Sequence, residues 1–120
     1  MSDLPNSAQE EFSTILIFDK EGLLGEKLSR KLIHKNLVVF ISGQINSEFK
    51  DENLIKIHLS GKVPKIPDNS YSHIFVFDDG TASFRNTIPS FLQKSQLDKS
   101  PVVLVSSVRI LNQKLYEKVL

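Results

Sequence analysis

The chain has 120 residues and a formal net charge of +1, with 40% apolar and 24% charged side chains. That balance fits one globular domain with a single core, and it excludes wholesale disorder and a complete two-domain enzyme. Near-neutral charge gives nucleic-acid binding no electrostatic support, and the absence of cysteine excludes disulfides, thiolate metal sites and a cysteine nucleophile. The lack of cysteine also fits a reducing compartment. No apolar run nears the ~18 residues of a membrane span, and residues 1–13 lack the basic-then-apolar order of a signal peptide. The expectation is a soluble, cytoplasmic domain that contacts no membrane.

Residues 1–13 read as a loose arm, with Phe12 able to pack on the first strand, and 14–120 as the domain. Thr14 to Phe18 is an apolar run ending at Asp19, as in a buried parallel strand. From Leu23 the period becomes helical: Leu24, Leu28 and Leu32, with Ile33 beside them, form one face, and Glu26, Lys27, Arg30 and Lys31 the other. Glu26 early and Lys31, His34 and Lys35 late agree with the helix dipole, and Asn36 can close the helix. Leu37 to Ile41 is a second buried strand, ending at Ser42-Gly43. Leu54 to Leu59 alternates partly and predicts a third strand near an edge. Gly61, Pro64 and Pro67 mark 60–72 as a loop rather than a crossover helix. His73 to Phe77 is the fourth strand, stopping at Asp78-Asp79-Gly80. Thr81 or Ser83 can cap a following helix that turns Phe84, Ile88, Phe91 and Leu92 inward and is interrupted or kinked at Pro89. Pro101 to Val105 is the fifth strand, running into Ser106-Ser107. Leu111, Leu115 and Val119 predict a last helix; ending on that pattern, the chain reads as a fragment of a longer protein.

Apolar strands alternating with helical patterns predict an α/β domain of three layers. Its core is a five-stranded parallel sheet in the order 3-2-1-4-5, Rossmann-like, with helices on both faces. With no crossover helix between Leu59 and His73, a sheet face or edge around Ile55, Ile57 and Ile66 is expected to be poorly covered. Self-association, or docking of a protein partner or neighbouring domain, is expected there.

The segment Phe18 to Gly25, with the strand before it, resembles the opening of an extended short-chain dehydrogenase/reductase, the NAD-dependent sugar-nucleotide epimerase/dehydratase family. Gly22 and Gly25 stand where that family has the last two glycines of Thr-Gly-Gly-x-Gly-x-x-Gly. His73 to Phe77 resembles the strand leading to the family's cofactor-contacting Ala-Ala turn, and Val102 to Ser107 its "VYVSS" strand end. The resemblance spans roughly residues 14–110 and implies the N-terminal, NAD(P)-binding half. It would place Gly22, Leu23, Leu24, Gly25 and Ser42 at the cofactor. The departures are equally specific. Asp19 replaces the first glycine, with Lys20 and Glu21 in the same turn, and a carboxylate there repels a pyrophosphate. Ser42 stands where an acid would hold the adenosine ribose, and Asp78-Asp79 replace Ala-Ala. Tyr116-Glu-Lys118 has neither the spacing nor the position of the family's Tyr-x-x-x-Lys. The expectation is therefore a degenerate relative, non-catalytic and without a cofactor, acting as a scaffold or interaction module. The alternative is the cofactor half of an epimerase/dehydratase-like oxidoreductase.

Asp19, Asp78 and Asp79 support a further alternative, because strands 1 and 4 are neighbours in this order and their acids reach one rim. Clustered carboxylates hold magnesium through oxygen. Ile17 to Gly22 also resembles the Asp-x-Asp-Gly turn of haloacid-dehalogenase-like phosphatases, with Ser42-Gly43 as their phosphate-binding Ser/Thr; Glu21 replaces the second Asp. The bland reading is that such acids are solvated and cap helix N-termini. A receiver domain would need an Asp at Leu59-Ser60-Gly61 and a Lys at Ser106-Ser107. His34, His58 and His73 share no ligand spacing, and Ser106 and Ser107 lack a His/Asp partner for a triad.

Overall fold

Strand β1 (Ser13–Asp19) is the middle of a sheet, and Ile15 to Asp19 are all buried, as a parallel strand covered on both faces requires. The structure, a computed structural model, describes residues 13–61, 64–78 and 82–106. After β1 come α1 (Leu23–Leu32), β2 (Asn36–Ser42), β3 (Leu54–His58), β4 (His73–Asp78), α2 (Ala82–Arg85), α3 (Ile88–Asp98) and β5 (Val102–Ser106). The five strands lie in the order β3-β2-β1-β4-β5 and every pairing is parallel. That is the Rossmann-like α/β layout the alternating pattern implies. Ser13 already belongs to β1. The expected contact of Phe12 and the tail pattern of Leu111, Leu115 and Val119 lie outside the described residues, as do Asp79, Thr81 and Ser107.

Strand alternation divides the core into two layers. Leu16, Phe18, Val39, Ile41, Ile74 and Val76 point to one face, where Phe84 and Phe91 of the α2–α3 segment meet them. Ile15, Ile17, Val38, Phe40 and Phe77 point to the other, against Leu28, Leu32 and Ile33 at the α1 side. Two helical expectations are corrected here. Leu24 is exposed, because α1 buries Gly25 and Ser29 and sits too close to the sheet for a leucine at that angle. Leu92 is also exposed, since α3 docks through Phe91, whose ring centroid lies 5.0 Å from that of Phe18.

Pro89 does not bend a continuous helix. The first segment ends at Arg85, and Pro89 occupies the first turn of α3, where its missing N–H leaves no intrahelical bond unmade. Asn36 closes α1 as expected, its Nδ2 donating to the Leu32 carbonyl at 2.9 Å. The loop after β3 covers more than its composition implies. Leu59 and Ile66 pack on the α3-side core, and Tyr71 is fully buried. The Tyr71 hydroxyl donates to the Pro67 carbonyl at 2.8 Å, and its backbone N–H donates to Asp98 Oδ2 at 3.0 Å. The sheet face expected to be bare thus has a loop in place of a helix.

Candidate functional site

In an open parallel sheet, ligands bind beyond the carboxyl ends of the strands, where strand order reverses. That rim lies between β1 and β4, and β1 ends at Asp19. Gly22 follows as the N-cap of α1 with φ 90°, a left-handed conformation that glycine adopts without a steric cost. A Cβ there would stand 2.6 Å from the Gln44 carbonyl oxygen and 2.9 Å from Ser42 Oγ. A Cβ on Gly25 would stand 2.6 Å from Asp19 Cβ and 2.7 Å from Phe40 Cε1. Both glycines are thus held by geometry: one makes the turn, and the other lets the helix lie against the sheet.

The Asp19 carboxylate fills the space in front of that helix. Its Oδ2 accepts the Gly25 N–H at 2.7 Å and its Oδ1 accepts the Glu21 N–H at 3.2 Å, and the residue is only 5% exposed. Gly22 has no side chain to cap α1, so Asp19 serves as the cap from the strand end. An anion at a helix N-terminus is stabilised by the free N–H groups and the dipole. The chain supplies that anion itself.

Ser42, at the end of β2, is buried, and its hydroxyl is spent within a local turn. Oγ accepts the Gln44 N–H at 3.0 Å and donates to the Gln44 carbonyl at 2.9 Å. Gly43 N–H donates to the Lys20 carbonyl at 3.0 Å, tying this turn to the β1 turn. Asp19, Gly22, Gly25 and Ser42 therefore converge, whereas Leu23 and Leu24 face solvent. Asp78 ends β4 on the same rim, one residue beyond the Asp19–Phe77 pair; Asp79 lies outside the described residues. Among the described residues no three His, Cys, Asp or Glu side chains approach closely enough to hold a metal ion. Both Asp19 oxygens already accept backbone N–H groups, which leaves them poorly disposed towards a hard cation.

Sequence reasoning missed Gln44, Phe40 and Ser29. Ser29 is buried and donates to the Gly25 carbonyl at 2.7 Å, so Gly25 and Ser29 form one small-residue stripe. The four-residue spacing of two small side chains was the available signal. Cavities among the described residues lie elsewhere. One of about 410 Å³ is at the opposite, amino ends of β1 and β4, near Thr14, Ser72 and Ser100. Another, of about 230 Å³, lies between α3 and the loop carrying Pro64 and Ile66. Among the described residues no helix is long and apolar enough to cross a membrane.

Comparison with known proteins finds no matching family model, no similar curated protein and no similar solved structure.

Proposed function

We propose that this chain is a degenerate Rossmann module, descended from a nucleotide-binding βαβ unit, whose phosphate seat is filled by its own Asp19. It acts as a non-catalytic scaffold or interaction domain. The observation that carries this reading is the pair of backbone hydrogen bonds accepted by the buried Asp19 carboxylate, at 2.7 and 3.2 Å. A pyrophosphate would have to displace that carboxylate or be repelled by it. Glu21 adds a second negative side chain to the same turn.

A second reading, the NAD-dependent cofactor half of an epimerase/dehydratase-like oxidoreductase, draws support from Gly22 and Gly25. Their left-handed turn and close helix packing are what a dinucleotide-binding turn asks of glycine. Titrating NAD(H), NADP(H) and sugar nucleotides into the labelled chain, while following the Gly22 and Gly25 amides by NMR, decides between the two. The scaffold reading expects no saturable shift at millimolar ligand. A saturating shift that Gly22→Asp abolishes would establish the cofactor reading instead.

A further inference from the structure

We propose that residues 64–72 form a strap that swings off α3 as a unit while the sheet stays folded, with Asp98 and Lys94 as its latch. The strap enters β4 at the amino ends of the strands, opposite the Asp19 turn, so it works independently of whatever that turn binds.

The strap stands where a crossover helix would cover the sheet between β3 and β4. It is folded on itself. The Asn69 N–H and the Tyr71 hydroxyl both donate to the Pro67 carbonyl, at 2.9 and 2.8 Å, and the Asn69 side chain hydrogen-bonds Tyr71. Among the described residues, 64–70 make no backbone hydrogen bond to any helix or strand. A loop closed by its own side chains can keep its shape as it moves. Its hold on the rest of the chain is narrow. Ile66 and Tyr71 pack on the α3-side layer, and the Ser72 N–H and hydroxyl donate to the Thr14 carbonyl at 2.9 and 3.3 Å.

The tethers to α3 form one cluster. The Tyr71 N–H donates to Asp98 Oδ2 at 3.0 Å. Lys94 Nζ lies 3.3 Å from Asp98 Oδ1, 3.8 Å from Asp68 Oδ1 and 5.5 Å from the centre of the Tyr71 ring. Asp98 is the last residue of α3, where the helix dipole opposes a carboxylate and the last turn has no basic residue. Its place is therefore explained by the strap and by Lys94, not by the helix.

The side chains of Asp98 and Lys94 are only 9% and 14% exposed, so losing either leaves the other charged and poorly solvated. Without Lys94, the Asp98 carboxylate is driven towards water and away from the Tyr71 N–H. A segment with few buried contacts and a local set of bonds opens at a lower free energy than the whole fold. The open strap uncovers the apolar layer beneath Ile66 and Tyr71, beside the cavity of about 230 Å³ that Ile66 and Lys94 line.

Native-state hydrogen exchange of the full chain in increasing urea tests this. The Asn69 and Tyr71 amides are expected to share one opening free energy, lower and less urea-dependent than that of Leu16 and Val39 in β1 and β2. Lys94→Met and Asp98→Ala are each expected to accelerate Asn69 exchange by about tenfold, although neither side chain bonds that amide. Ile33→Val, in the opposite layer, is expected to speed Leu16 and Val39 and leave Asn69 and Tyr71 unchanged, because its contacts survive while the strap is open. The unmodified chain and Ile33→Val carry the test if a latch variant fails to fold. Asn69 and Tyr71 opening with different free energies, or only together with the sheet, overturns the proposal. So does an Asn69 rate that ignores both latch variants, or one that rises with Ile33→Val.

Discussion

Asp19 holds the turn together through two backbone N–H groups that no other described side chain satisfies at the start of α1. Removing a cap of this kind costs about 1–2 kcal/mol. Asp19→Ala is therefore expected to lower the stability of the folded chain by about that amount, read as a shift in urea midpoint with unchanged slope. The neighbouring glycines constrain what else the turn accepts. At Gly25 any added carbon meets the Asp19 side chain and the Phe40 ring, whereas at Gly61, left-handed like Gly22, it meets nothing within 4 Å. The sequence showed that Asp19 was the anomalous residue of its turn. Whether its carboxylate pointed to solvent, to a metal or to the helix depended on the approach of Gly25, six positions away in the chain.

The helices dock by two different means. Gly25 and Ser29 bring α1 close to the sheet through small side chains, while α3 reaches it through the ring of Phe91. Apolar periodicity made both helices legible, but it placed Leu24 and Leu92 inward, because it weighs side chains by hydropathy and not by how near the backbones come. Phe91 is the only α3 residue that is fully buried, and it touches Phe18 at the centre of the sheet. Phe91→Ala is expected to cost about 3–5 kcal/mol, with hydrogen exchange in α3 accelerating more than in α1. Equal acceleration in both helices would show that α3 is held by contacts other than this ring.

Across the whole molecule, the loop of 59–72 couples the sheet to the end of α3 through Tyr71. Burial pushes the Tyr71 phenol up from the ordinary 10.0 to about 12; the Asp98 and Asp68 carboxylates add to the rise and a hydrogen bond from the Asn69 side chain opposes it. A pKa that folding raises contributes stability that is intact below about pH 10 and lost as the pH climbs towards 12. Unfolding measured from pH 9 to 12 is expected to show a loss of up to about 2–3 kcal/mol that Tyr71→Phe removes from the profile.

Strand order, parallel pairing and the two-sided core were legible in the residues themselves. Continuous apolar strands alternating with amphipathic helices leave few other ways to bury both faces of a sheet, and right-handed crossovers fix the order. The direction of the Asp19 carboxylate and the burial of Ser42 and Tyr71 were decided only by tertiary structure. Each depends on how closely two distant backbone segments approach, and a pattern of residue types carries no record of that distance.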